Sequence, residues 1–497
     1  MKKYYTKIIA IFLAILFVTP VSSMRTVTAD NTTSASDDSA ISKEVATSYF
    51  DQAVSLIMSR YKFDTTRENI YRQTLLKLLE ENPEMIYEIF GAMFGSLDDY
   101  STYYTAEELD KFMTDVTGEF CGIGVVIMTV PSGLYVSTVY DNSPAHEAGV
   151  RPGDIIIKVG DTSLAGVDIS VAQSLILGEE NTPVNLTVSR NGNAFEINPV
   201  RRKVTMQTGF YDTLKNDTIG YIRFTDFNDY AVDLATKALT HFDQKGITKV
   251  IIDLRNNPGG ELNAFVDIAS LFIPQGPAIK LEYKNPFNNV VLESYNKQVK
   301  YTLGVLINEN SASAAEAFAA AVKDTKVGIL FGTNTFGKGT MQILTRFKMG
   351  GGVKLTEAEF LSPLGKKINK VGVAPNIKTE DKMVDYHLAG FEKITYDKVL
   401  RLGDTGKDVY AIEERLYAMG FDIGLPDEVY DEKTYNAIFS LQNSTNLYPY
   451  GVADITTQLK VEELLQGTQV SNNASFKRAV EMLSGESWRY YVNTLNK

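Results

Sequence analysis

Val250-Ile251-Ile252-Asp253-Leu254-Arg255-Asn256-Asn257-Pro258-Gly259-Gly260 lies at the middle of a 497-residue chain. Its apolar opening reads as a buried strand, and Pro258-Gly259-Gly260 reads as the turn that ends it. Further apolar strands are predicted at 219–224, 305–307 and 328–331. They alternate with helical stretches such as 232–242. That alternation is α/β layering, and it sets a core from about 204 to 379. Glycines in the turn let backbone approach a neighbouring group closely.

Two segments downstream carry chemistry: Asn310-Ser311-Ala312-Ser313-Ala314-Ala315-Glu316 and Thr335-Phe336-Gly337-Lys338-Gly339-Thr340-Met341-Gln342. A serine hydroxyl is a poor nucleophile until a base takes its proton. A lysine can be that base when burial or nearby dipoles lower its pKa. Ser313 opens a small-residue helix, and Ser313 with Glu316 is also a capping-box pattern. The two readings are compatible, because a helix N-terminus offers N–H groups and a positive dipole end to an oxyanion. The N–H of Ala314 is one candidate donor. The other is expected from Gly259 or Gly260, in a turn that by itself reads equally well as an ordinary one. Residues 340–345 alternate as a strand, which places Lys338, Thr340 and Gln342 on one face. Gln342 could hydrogen-bond the lysine amine without the charge of a carboxylate, which would raise the lysine pKa.

Other chemistries are excluded. The three histidines, His146, His241 and His387, lie in no catalytic-looking motif and read as surface or packing residues, so a Ser-His-Asp triad is not expected. There is no His-Glu-x-x-His, and Cys121 is the single cysteine, so neither a zinc site nor an intrachain disulfide is indicated. No metal or other cofactor is expected. A net charge of −12 disfavours nucleic acid as a partner and gives no attraction to anionic membranes or wall polymers.

Taken together, these segments resemble the carboxyl-terminal processing, or tail-specific, serine proteases. The resemblance runs in order through Gly95-Ser96-Leu97-Asp98-Asp99-Tyr100-Ser101-Thr102-Tyr103, a PDZ-like stretch, 253–260, the Ser313 and Lys338 segments, and Gly372-Val373-Ala374-Pro375. It implies a multidomain α/β protein with a crotonase-like core (the ClpP/crotonase type). It also implies Ser313 as nucleophile, Lys338 as general base and Gln342 as the orienting residue. Two positions depart from the family pattern: Ala315 replaces a usual serine, and Pro375-Asn376 replaces Pro-Asp. Neither removes a catalytic group.

The length suggests about three or four domains. Residues 1–29 read as an export signal, with Lys2, Lys3 and Lys7 before the apolar run 8–18, Pro20, and small residues after it. Cleavage is favoured over a retained anchor, because the run is short for a membrane span. Residues 30–42 read as a linker. Residues 43–118 are helical, a region that the resemblance implicates in a homodimer and that otherwise reads as a cap on the protease. Residues 119–203 resemble a PDZ domain, with Gly122-Ile123-Gly124-Val125 as its carboxylate-binding loop. The core (204–379) is followed by a linker (380–400) and by a stretch (401–465) resembling the three-helix peptidoglycan-binding domain. The alternative for that stretch is a helical interaction domain that binds no glycan. The tail (466–497) has amphipathic spacing at Ala479, Val480, Leu483 and Trp488 and could add to a dimer interface.

The expected function is a secreted or cell-envelope serine endopeptidase that captures exported proteins by apolar C-termini. The competing reading is a wall-bound peptide-binding scaffold without turnover. It is disfavoured because Ser313, Lys338 and Gln342 are all present. A peptidoglycan hydrolase lacks support, since the wall-binding-like module has no acid pair or zinc ligands around it.

Overall fold

The structure, a computed structural model, describes residues 42–485 apart from 118, 141, 191, 215, 216, 349 and 446. The expected signal (1–29), nearly all of the first linker and Trp488 lie outside the described residues. The chain divides into two compact units. One is Asp110 and the residues before it together with Gln342–Glu357, and the other is Lys111–Met341 with Ala358 onward. Among the described residues no helix is long and apolar enough to cross a membrane.

In the first unit, α1 (Lys43–Arg60), α2 (Arg67–Glu81) and α3 (Met85–Gly95) precede β1 (Thr102–Tyr104) and the start of α4 (Ala106–Thr117). Ser42 and Thr66 cap the first two helices by accepting from the N–H groups of Val45 and Asn69. β1 pairs antiparallel with 352–354, Thr102 opposite Lys354. Phe90, Tyr103 and Phe347 pack ring against ring, with Phe90 5.3 Å from Tyr103 and 5.6 Å from Phe347.

The second unit opens with the PDZ-like domain: β2 (Glu119–Gly122), β3 (Val125–Val130), β4 (Gly133–Val139), α5 (Pro144–Glu147), β5 (Ile155–Val159), β6 (Thr162–Ser163), α6 (Ile169–Ile176), β7 (Leu186–Arg190), β8 (Asn193–Ile197) and β9 (Arg202–Thr205). The sheet runs β3-β4-β5-β7-β8, and β2 pairs with β9 where the chain enters and leaves. Asp154 is fully buried and accepts from the Arg151 N–H (2.8 Å) and from Arg190 Nε (2.6 Å). That pairing ties the turn before β5 to the end of β7.

The core follows: β10 (Gly209–Leu214), β11 (Ile219–Phe224), α7 (Asp229–Gln244), β12 (Lys249–Asp253), α8 (Leu262–Phe272), β13 (Gly276–Tyr283), β14 (Val290–Ser294), β15 (Thr302–Ile307), α9 (Ala314–Thr325), β16 (Gly328–Gly332), β17 (Thr340–Arg346), β18 (Gly352–Leu361) and β19 (Ile377–Lys378). The main sheet is ordered β10-β11-β12-β15-β16-β19 and is parallel except for the edge strand β10. Its strands bury alternate residues on opposite faces, as a two-residue period demands. Ile222, Val250, Ile252, Val305 and Leu330 pack toward α7, α8 and α9. Tyr221, Ile251, Leu306, Ile329 and Phe331 face the other way. Each such side chain contributes about 1.5–3 kcal/mol by leaving water.

The second face is covered by the end of the chain. The stretch expected to be a linker contains β20 (Met383–Asp385). After α10 (Lys407–Ala418), α11 (Glu432–Ser444) and α12 (Ile455–Leu465), the chain returns through β21 (Gln469–Ser471), antiparallel to β20, into α13 (Ala474–Ser484). The three-helix module is therefore inserted on a two-stranded stem. Ala479, Met482 and Leu483 of α13 pack on Ile219, Tyr221 and Ile251, and Lys249 Nζ donates to the Leu483 carbonyl at 2.6 Å. The apolar face of the described tail, read as a candidate dimer surface, is spent on the chain's own sheet.

Candidate active site

Ser313 stands at the N-terminus of α9 with φ 53° and ψ −117°. Positive φ is uncommon for a serine and marks a strained position. The turns that hold it are laced to the turn after β12. Ala312 N–H donates to the Asn257 carbonyl (2.9 Å), and Ser311 Oγ donates to the Leu254 carbonyl (2.7 Å). Asn308 Nδ2 and Asn310 Nδ2 both donate to Asn256 Oδ1, at 2.9 and 3.0 Å. A Cβ on Gly259 would lie 2.7 Å from Ser313 Cβ and 3.1 Å from Ala314 N. Only glycine fits there, and Ser313, Ala314 and Gly259 are thus brought together.

The two candidate glycine donors differ. Gly259 N–H already donates to Asn257 Oδ1 at 2.8 Å. Around Gly260, the Phe227 N–H donates to the Gly259 carbonyl and the Glu261 N–H to the Phe227 carbonyl, both at 2.7 Å. That pairing turns the Gly260 N–H away from Phe227, so Gly260 is the better donor candidate of the pair.

Glu316 joins the serine turn to the lysine loop. Its carboxylate is fully buried and takes four donors: Thr335 Oγ1 (2.6 Å), Gly337 N–H (2.6 Å), Lys338 N–H (2.7 Å) and Ser313 N–H (3.0 Å). Burial raises its pKa, and these hydrogen bonds oppose the rise. The capping box is present, but it is one quarter of what this side chain does. The glycines flanking Lys338 have a packing reason: a Cβ on Gly339 would meet Asn369 N at 2.2 Å, and one on Gly337 would meet Gly372 N at 3.2 Å. Val373 N–H donates to Thr335 Oγ1 at 2.7 Å, so the 372–375 run buttresses this loop. The expected strand forms at Thr340–Arg346, but Lys338 lies in the loop before it. Strand alternation therefore does not place Lys338 on a face with Gln342, because Gly337 adopts φ 95° and the Glu316 bonds bend the chain there.

Gln342 falls in the first unit. Its Nε2 donates to Thr356 Oγ1 (3.2 Å), and Thr356 Oγ1 in turn donates to Asp98 Oδ1 (3.2 Å). Asp98 also accepts from the Tyr100 and Ser101 N–H groups, each at 2.8 Å. Burial would raise Asp98, yet these donors hold its carboxyl below the usual range. The 95–103 run thus orients Gln342 through Thr356, a residue no sequence motif singled out. Glu316 was legible only as a cap, and Asn257 only as part of a turn.

In the PDZ-like loop, the Ile123 carbonyl accepts from Ala145 N–H (2.8 Å) and the Gly124 carbonyl from Tyr140 N–H (2.9 Å). Gly124 has φ 78°, and a Cβ on it would lie 2.4 Å from Ser143 Cβ. Gly122 sits beside Leu177, and Val125 begins β3, which has β4 as its sheet neighbour at the end of the strand order.

The family profile of peptidase family S41 matches residues 218–379, a PDZ domain profile matches 135–190, and a putative peptidoglycan binding domain profile matches 405–459. The carboxy-terminal processing protease CtpA of Bacillus subtilis (strain 168) is 31% identical over 432 residues, covering 85% of this chain and 89% of that protein. This chain belongs to the carboxy-terminal processing proteases of family S41. A probable CtpA-like serine protease of Staphylococcus haemolyticus is 30% identical, covering 84% of this chain and 82% of its own length. Among solved structures, the photosystem II D1 C-terminal processing protease is 26% identical and covers 67% of this chain and 92% of that one, with a TM-score of 0.39. The chain is therefore an S41 serine protease whose multidomain α/β fold joins the protease core to a PDZ domain and a helical peptidoglycan-binding domain. Its two departures from the family pattern sit quietly in the fold. Ala315 is buried in α9, and Asn376 Oδ1 accepts from Leu330 N–H at 2.9 Å, as an aspartate could.

Proposed function

We propose that this protease works in the cell envelope as a serine endopeptidase that cuts exported proteins after capturing their C-termini. Ser313 Oγ attacks the scissile carbonyl carbon while the neutral amine of Lys338 takes the hydroxyl proton. The N–H groups of Ala314 and Gly260 receive the oxyanion, each worth on the order of 3 kcal/mol. The lysine ammonium then gives its proton to the leaving amine. Water, activated by the same amine, releases the acyl group and restores Ser313. The family resemblance gives Gln342 the orienting role. With its Nε2 on Thr356, the amide oxygen is the end suited to an amine N–H. Substrate tails with apolar last residues add as a strand beside β3, their carboxylate on the loop 122–125. The export pattern in 1–29 and the match to a peptidoglycan-binding domain support a location outside the cell, in the cell wall or on the outer face of the cytoplasmic membrane.

The observation that carries this reading is Glu316, because one buried carboxylate bonds the backbone N–H of both Ser313 and Lys338. The test is cleavage of a loosely folded protein with an apolar C-terminus by wild type, Ser313→Ala and Lys338→Ala, with folding checked by circular dichroism. Both variants are expected to be folded and inactive. A fully active Lys338→Ala would point to another base. If no protein cleaves even with added PDZ-binding peptide, the scaffold reading stands instead.

A further inference from the structure

Arg255 begins the turn that leads to Gly259 and Gly260, yet its side chain runs to the far end of the sequence. Nε and Nη2 bond Asp253, at 2.9 Å to Oδ1 and 2.5 Å to Oδ2. Nη1 donates to Asp381 Oδ2 (2.8 Å), Asn473 Oδ1 (3.1 Å) and Ser475 Oγ (3.3 Å). Asp253 is fully buried and also accepts from Tyr221 Oη at 2.8 Å. Burial would raise Asp253, but the guanidinium beside it holds its carboxyl below the usual range. Arg255 is thus a fixed fork between the end of β12 and the segments on either side of the inserted module.

Asn473 shows that this contact is more than helix packing. It is the N-cap of α13, where an asparagine ordinarily accepts from its own first turn. Here it adopts φ 48° and makes no cap bond with its side chain, whose Oδ1 serves Arg255 instead. The cap is supplied from outside the helix: Asp381 Oδ1 accepts from Ser475 N–H at 2.8 Å, across 94 residues of sequence. A local rule broken in favour of one distant arginine points to a function for that arginine's position.

We propose that Asp381, Asn473 and Ser475 are positioning residues that hold Arg255, and through it the turn carrying Gly259 and Gly260, in place for catalysis. The segment after the module is then a working part of the protease, although it touches no substrate. This rests on the peptidase reading above.

The test uses the full chain with Asn473→Ala and Ser475→Ala combined, with Asn473→Asp, which keeps the acceptor, and with Leu483→Ala, which weakens α13 away from Arg255. The double variant is expected to keep KM within about twofold and to lose roughly ten- to a hundredfold in kcat, the scale of misplacing a catalytic group. Asn473→Asp should stay near wild type, and Leu483→Ala should keep kcat per folded molecule. Wild-type kcat in a folded double variant overturns the proposal, as does an equal loss in Leu483→Ala. Turnover that survives Ser313→Ala sinks the Ser313 mechanism instead. Backbone amide exchange across 255–260 then still decides the positioning claim: it should rise in the double variant, and unchanged exchange refutes it.

Discussion

At position 259 the chain has no room for a side chain. A Cβ there would press on Ser313 Cβ at 2.7 Å, and φ of 117° is strained for any L-residue. Gly259→Ala is expected to lower kcat at least a hundredfold, comparable to losing an oxyanion donor, while the protein stays folded. Labelling of Ser313 by a fluorophosphonate should slow in parallel, and wild-type labelling would show that the turn can relax away. At this scale the sequence carried a good deal, since Ser313 and Lys338 stand in segments whose residue types announce their chemistry. It did not carry the four bonds of Glu316, because a Ser-x-x-Glu pattern accounts for the bond to Ser313 alone. Nor did it separate Gly259 from Gly260, which differ in whether Asn257 has claimed the N–H.

Strands and helices were legible where apolar periodicity is strong. The strand expected at 219–224 is β11 to the residue, and that at 250–254 is β12 shifted by one. The extrapolation to Lys338 failed because glycine geometry and a buried carboxylate outrank alternation in a short loop. Between helices of the module, the joint is a buried acid. Glu413 on α10 accepts from Thr434 Oγ1 of α11 (2.5 Å) and from the Asp427 N–H (2.7 Å). Burial pushes its carboxyl up to about 8, against an ordinary 4.5. A raised folded-state pKa means that the native state binds the proton more tightly than the unfolded state. The stabilisation is therefore fully present below about pH 4.5 and is lost as pH rises through about 8, at no more than about 1.4 kcal/mol per pH unit. Melting curves of the full chain between pH 5 and 8 should fall less steeply for Glu413→Gln than for wild type. Identical slopes would show that Glu413 is not the group responsible.

Across the second unit, the module also grips the PDZ domain. Tyr135 of β4 is buried, stacks on Phe439 of α11 at 6.1 Å and donates from its hydroxyl to the Asn436 carbonyl at 3.2 Å. Tyr135→Ala is expected to cost on the order of 3 kcal/mol, and Tyr135→Phe about 1 kcal/mol. Hydrogen exchange should rise in both 133–139 and 432–444 while the core strands stay protected. A rise confined to 133–139 would mean that the contact does not couple the two domains.

By itself the sequence determined the family, the order of the matched domains and the α/β core, and it singled out a candidate serine and lysine, because apolar period and motif spacing are local properties of a chain. The tertiary structure decided the partners. It inserted the module on a paired stem, returned α13 to the open face of the sheet, tied Asp98 to Thr356 across 258 residues and sent Arg255 to Asn473 across 218. Such choices follow from which buried surfaces remain to be covered and which buried donors remain to be satisfied, and both are settled only when the whole chain packs.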